Sequence, residues 1–249
     1  WGQLVGALVL LAALSVWPPP TSSAPIQWVL IGGVASAFAY YGLFRAFEGG
    51  PISVTSPVVA SWAVVSALLG ITLFDEAFLP LRALGGALVV IGVVAVAARN
   101  PEGSASTWRE PRPRVLGWAF TSCLGFGVMV AALRPLGDAL GPVASILVLW
   151  GVQWIVLLPW AVRKFEKRWI PSCDLWPILV GLGILETVGF LAVDLGLMVA
   201  PMSIVAPAAS LGSLLTVLVG KHWLGESVDG HHLGFAMVVV AGIVMLGFS

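Results

Sequence analysis

Hydrophobic residues run in long unbroken blocks along this chain, separated by short clusters of charge, proline and glycine. A block such as Ala87 to Ala98 is apolar on every face. It has neither the alternation of a membrane-barrel strand nor the one-sided stripe of a surface helix, so the blocks predict helices buried all round. A bilayer core about 30 Å thick needs roughly 20 apolar residues per crossing. Nine spans of that kind are present, over residues 1–17, 27–47, 52–74, 79–98, 115–134, 143–162, 175–198, 202–222 and 231–248. Their connections are short except for the polar stretch RNPEGSASTWREPRPR from Arg99 to Arg114, which reads as a linker. The first span lacks the basic residues that open a signal peptide, and it is short for a crossing.

Composition agrees: 59% of residues are hydrophobic and only 10% charged, against roughly a quarter charged in a soluble domain. So few charges cannot cover a water-facing surface. Twelve Lys and Arg balance twelve Asp and Glu, which excludes the basic field of a nucleic-acid partner. Cys123 and Cys173 stand outside any CxxC or Cys/His spacing, so both are expected to be free thiols, with no metal and no cofactor. The expected partners are the lipid bilayer and a small-molecule solute, and the expected location is the cell membrane, crossed many times.

The chain also repeats itself. A shift of 150 residues without gaps aligns Pro51 with Pro201, Ser53 with Ser203, Pro57 with Pro207, Gly70 with Gly220, Glu76 with Glu226 and Gly92 with Gly242. Spans two to four then match spans seven to nine, and the first span matches Pro142 to Pro159, leaving Val115 to Arg134 without a partner. A tenth helix is therefore expected upstream of Trp1, and the nine spans are numbered TM2 to TM10. Residues 1–98 form the first repeat, 99–114 the linker and 115–249 the second repeat. An odd number of helices per repeat inverts the second relative to the first. Charge agrees, because PPPTSSAP after TM2 is uncharged while RKFEKRWIP after TM7 carries Arg163, Lys164, Lys167 and Arg168.

Two segments carry a resemblance: PISVTSPVVASWAVVSALLGITLFDEAFLPLRALGGALVVIGVV at Pro51 to Val94, and PMSIVAPAASLGSLLTVLVGKHWLGESVDGHHLGFAMVVVAGIV at Pro201 to Val244. Each has a Pro/Ser-led helix, an acidic turn and a Gly-rich helix. In this the chain resembles the EamA family of the drug/metabolite transporter superfamily. The resemblance implies an all-α polytopic membrane protein of two inverted five-helix repeats, a ten-helix transporter of which nine helices are present. The first copy departs from the family in having Asp75-Glu76 where Gly-Glu is usual. Orientation divides the two lines of reasoning. The resemblance implies both termini in the cytoplasm, whereas the positive-inside rule puts the Arg99 to Arg114 and Arg163 to Arg168 loops inside and Ser249 outside.

Ionisable groups at bilayer depth are costly and mark function by default. Glu186 is the one at mid-span, in TM8, and its repeat partner is Ser36 in TM3. The two are expected to face each other across a central cavity, with Glu186 coupling transport to protons or countering a substrate amine, against the plainer reading of a neutral Glu bonded within the bundle. Asp194, near the end of TM8, is a further candidate for the coupling site should Glu186 not be it, although snorkelling or water near the end of the span is expected to solvate it. Arg45 and Glu48, at i and i+3, are expected to pair locally, although such an Arg also suits a carboxylate substrate. Pro57 and Pro207 remove the amide partners of the Ser53 and Ser203 carbonyls, offering symmetry-related cavity groups unless the prolines only start or kink helices. Tyr40, Tyr41, Trp62, Trp150, Gln153 and Trp154 line a pocket or pack as ordinary core and belt residues. Glu76 and Glu226 are expected to favour the N-terminal dipoles of TM5 and TM10. His222, His231 and His232 lack ligand spacing and are expected in solvent. Gly85-Gly86 and Gly117/Gly125 are expected at close helix contacts.

The expectation for function is a secondary transporter moving a small organic metabolite or drug by rocking two repeats about a central cavity. The alternative is a membrane receptor or scaffold without transport. A membrane enzyme is disfavoured by the absence of GxSxG, HExxH or a His/Asp cluster at depth.

Overall fold

The structure is a computed structural model and describes residues 1–20, 23–77, 79–98, 109–164, 171–210, 212 and 230–247. The described chain is α-helical without a strand: α1 (Gly2–Ala13), α2 (Ile26–Gly49), α3 (Ile52–Ala60), α4 (Trp62–Leu73) and α5 (Pro80–Ala98). One 53-residue helical stretch, Arg112–Lys164, is interrupted at Gly141 into α6 (112–140) and α7 (142–164). A single 3-10 turn, Cys173–Leu175, leads into α8 (Trp176–Val199), followed by α9 (Met202–Ser210) and α10 (Gly230–Gly247). These are the predicted TM2 to TM10, with α3 and α4 sharing TM4 and α9 the start of TM9.

Proline places many of the starts. Pro80 opens α5, Pro142 opens α7 and Pro177 is within the first turn of α8, while Pro51 and Pro201 immediately precede α3 and α9. A helix's first amides have no internal partner, so proline's missing N–H costs nothing there. TM4 breaks at Ser61, where ψ is −1° and the serine hydroxyl bonds back to the Val58 carbonyl, a contact that bends helices. The loop expected between residues 134 and 143 is instead helical up to Gly141. Arg134 and Asp138 are polar but helix-compatible, and the break falls where φ is 74° and ψ is 165°, backbone open only to glycine.

The helices gather into two compact units, residues 1–37 with 129–200, and residues 38–128 with 201–249. In the first unit α1 packs against α8, and glycine sets how closely. A Cβ at Gly183 would lie 2.2 Å from the Gly2 carbonyl oxygen, and one at Gly6 would meet Thr187 and Trp150. Gly2 and Gly6 on α1 thus oppose Gly183 and Thr187 on α8, a small-residue contact of the kind that lets membrane helices touch backbone to backbone. In the second unit α5 packs against α10 around Val58, Val59, Val89, Val239 and Ile243. A Cβ at Gly92 would meet Val239 and the Phe235 carbonyl, and one at Gly242 would meet Val89 and the Gly85 carbonyl. Each set is the other moved by 150 residues. Gly117, by contrast, has open space where its Cβ would be, so it is not one of the expected close contacts.

Polarity is arranged inside out relative to a soluble protein. Leu8, Ile155, Ile178, Leu185 and Val188 are all more than half exposed, while Ser36, Ser66, Ser122, Ser145, Gln153, Thr187 and Asp194 are buried. Leaving such aliphatic side chains in water would forgo about 1.5–3 kcal/mol each, so the outward faces are lipid-facing. Ile26–Gly49, Ile52–Leu73, Arg112–Arg163 and Cys173–Val199 are long and apolar enough to cross a membrane.

Candidate functional site

Within the first unit, four polar side chains from α1, α2, α7 and α8 join in one chain of hydrogen bonds. Ser36 Oγ donates to Gln153 Oε1. Gln153 Nε2 donates to Gln3 Oε1 at 2.7 Å, and Gln3 Nε2 donates to Glu186 Oε1 at 2.9 Å. Ser36 and Gln153 are fully buried and Glu186 is half-buried. Ser36 and Glu186 are thus joined through two glutamines, three hydrogen bonds apart, where the sequence led us to expect them face to face. The close α1–α8 contact is what brings Gln3 within reach, since Gln3 lies between Gly2 and Gly6, and Glu186 between Gly183 and Thr187.

The direction of this chain is fixed by Trp154. Its indole N–H, which can only donate, points to Gln3 Oε1 at 3.1 Å. The Gln3 oxygen is therefore held on the Trp154 side, and its NH2 is presented to Glu186. Trp150, also buried, packs edge-on against Phe190 at 6.0 Å between centroids, which walls the same region with apolar surface.

Gln3 is the residue that the sequence reading missed. The signal was present: the shift that aligns Ser36 with Glu186 also aligns Gln3 with Gln153. The Gln3–Glu186 pair moved by 150 residues is the Gln153–Ser36 pair, and the remaining bond joins the two glutamines to each other.

Other candidates lie elsewhere. Asp194 is completely buried, not solvated as expected; α8 continues past it to Val199, and α6 and α7 cover it with Gly137 and Ser145. Tyr40, Tyr41 and Trp62 belong to the second unit. Tyr40 packs edge-on with Phe126 and Tyr41 with Trp118, at 5.3 and 5.2 Å. Ser53, Pro57, Ser203 and Pro207 are buried in α3 and α9 of that unit. The Ser203 hydroxyl has no hydrogen-bond partner among the described residues. Arg45 does pair with Glu48, at 3.3 Å, and more closely with Glu110 at 2.8 Å, a linker residue not foreseen. His231 is exposed; His222 and the side chain of His232 lie outside the described residues.

Glu76 takes a helix dipole, but of a different helix from the one expected. Its carboxylate accepts from the backbone N–H groups of Met202 and Ser203 at 2.6 and 3.1 Å, capping α9. Gly70 leaves room, since a Cβ there would sit 2.9 Å from Glu76 Oε2. Asp75 turns the chain into this position with φ of 54°, the left-handed region. The second copy has Gly225 at the equivalent place. Asp75→Gly should therefore stabilise the protein by about 0.5–1 kcal/mol, the left-handed cost to an L-residue less the added freedom of glycine in the unfolded chain. An unchanged or lowered unfolding midpoint in detergent would show that Asp75 earns its place by a contact of its own.

The model of the EamA-like transporter family matches residues 114–248, more than half of the chain. The chain belongs to that family, and with its apolar helices it is an all-α polytopic membrane protein. A solved crystal structure, titled only "Crystal structure of protein", shares its fold with a TM-score of 0.68 at 18% identity, over 98% of this chain and 85% of that one. No curated protein matches it in sequence.

Proposed function

We propose that this protein is a secondary transporter of the cell membrane that moves a small organic solute by alternating access of two inverted repeats. The observation that carries this reading is the Ser36–Gln153–Gln3–Glu186 chain, built of two pairs of repeat partners and lodged in an apolar helical unit. Polar groups at membrane depth are retained where they handle a solute or ion, and pairs related by an inverted repeat suit a site that must open to either side. The reciprocal packing of Gly92 with Val239 and of Gly242 with Val89 supports the same two-fold relation. In this reading Glu186 carries the coupling proton or meets a substrate amine, while Gln3, Gln153 and Ser36 offer uncharged hydrogen-bonding groups. Ser53, Pro57, Ser203, Pro207, Tyr40 and Trp62, all within the second unit, are proposed separately as solute-facing residues. Counterflow of radiolabelled solutes in proteoliposomes tests it: uptake of at least one solute against an equal outside concentration is expected, and a protein that exchanges none across a broad panel is no transporter.

Orientation follows from charge, with the Arg99 to Arg114 and Arg163 to Arg168 loops in the cytoplasm. Cys173, exposed in the α7–α8 connection, reports on it directly, because the other thiol, Cys123, is buried. An impermeant maleimide should leave Cys173 unlabelled in intact cells and label it once the membrane is opened. Labelling before opening reverses the orientation.

A further inference from the structure

A second polar centre lies at the junction of α6, α7 and α8, away from the hydrogen-bonded chain of Glu186. Ser145 Oγ stands within hydrogen-bonding reach of two acceptors, the Pro142 carbonyl at 3.0 Å and Asp194 Oδ2. A hydroxyl has one proton and cannot donate to both. Both contacts are satisfied together when Asp194 brings its own proton: Asp194 Oδ2–H donates to Ser145 Oγ, and Ser145 Oγ–H donates to the Pro142 carbonyl.

The surroundings support the neutral acid. Asp194 is completely buried, and its Oδ1 has no hydrogen-bond partner among the described residues. That oxygen lies against Gly137, where a Cβ would come within 2.6 Å. A buried carboxylate requires a cation or several donors, and Ser145 offers one at most. The charged residues near it on α6 are Arg134 and Asp138, on either side of Gly137; α7 has none before Arg163, and the other acid of α8 is Glu186, two turns away.

We propose that Asp194 is a proton-binding site whose proton holds the break at Gly141 in its present form. Pro142 is the first residue after that break, and the Ser145 proton secures its carbonyl. When Asp194 gives up its proton, Ser145 must turn its own hydrogen to the new carboxylate, and the Pro142 carbonyl loses its side-chain donor and keeps only the amide of the helix it opens. The start of α7 then loses the tie that runs through Ser145 to α8, next to a glycine whose backbone angles no other residue adopts readily. Proton release thus loosens the α6–α7 junction, a step that stands on this unit's geometry whether or not the protein transports a solute.

Infrared difference spectroscopy of the full chain in lipid nanodiscs tests the protonation directly. At neutral pH the wild type should show a carbonyl stretch of a protonated carboxyl group that Asp194→Asn removes and Glu186→Gln leaves, any band from Glu186 being the one that Glu186→Gln removes. Raising the pH should remove the band and lower the protection of the amides around Gly141, once the intrinsic base-catalysed rise in exchange is divided out, in the wild type and not in Asp194→Asn. A wild type without the band, a spectrum that Asp194→Asn leaves unchanged, or protection at Gly141 that does not fall with pH would overturn the proposal. If Asp194→Asn does not fold, Ser145→Ala keeps the acid and removes its acceptor. The band should then shift toward that of a free carboxylic acid, and an unshifted band counts against the proposal.

Discussion

Replacing Glu186 by Gln is expected to abolish gradient-driven accumulation of solute while leaving solute exchange intact. The amide keeps the size of the side chain and an oxygen that still accepts from Gln3 Nε2, so the chain from Ser36 to Gln3 has no reason to rearrange. What it loses is titration. A carrier that couples to protons must present one titrating group to each side in turn, with its charge offset by substrate or proton before the loaded state crosses. Exchange moves no net proton and should survive. Ser36→Ala should do far less, removing one hydrogen bond worth about 1 kcal/mol. If Glu186→Gln accumulates solute to the wild-type level with the same pH profile, Glu186 is a structural acceptor for Gln3, and the proton-binding centre at Asp194 becomes the candidate for coupling.

The second large effect is expected at Gly183. A valine there would drive its Cβ to 2.2 Å from the Gly2 carbonyl oxygen and 3.1 Å from Val5 Cβ. The first obstacle is backbone, which has no rotamer to turn aside, so α1 must move off α8. Overpacking of this kind costs about 1–3 kcal/mol, and an obstacle in the backbone puts Gly183→Val at the upper end. The displacement also withdraws Gln3 from Glu186, so solute exchange should fall together with the unfolding midpoint. Gly181 and Gly189 lie on the same helix with open space where a Cβ would go, and valine at either should be tolerated. Equal losses at Gly181, Gly183 and Gly189 would mean that helix propensity, not the α1–α8 contact, is being measured.

Much of the fold was legible in the hydrophobic pattern because lipid imposes a simple rule. A crossing must be helical, apolar and about 20 residues long. That rule found α2, α5, α8 and α10 to within a few residues, and the 150-residue shift marked Ser36 and Glu186 as repeat partners, which the structure joins through Gln153 and Gln3 and not directly. Breaks inside a span were less legible. Ser61 and Gly141 interrupt helices through a backbone angle and a side-chain bond back to a carbonyl, neither of which changes hydropathy.

By itself the sequence determined that this is a membrane protein of apolar helices, that its halves repeat and that Glu186 is the acid at mid-span. Length, composition and self-similarity are properties of the chain alone. Which groups meet was decided only by tertiary structure, because the partners are far apart in sequence. Gln3 reaches Glu186 across 183 positions, and Glu76 caps a helix that begins more than a hundred residues later. Asp194 shows the limit most plainly. Its position near the end of a span suggested access to water, but solvation depends on what covers a residue. Here Gly137 of α6 and Ser145 of α7 close over it, so an acid that hydropathy alone would leave in solvent is sealed within the protein.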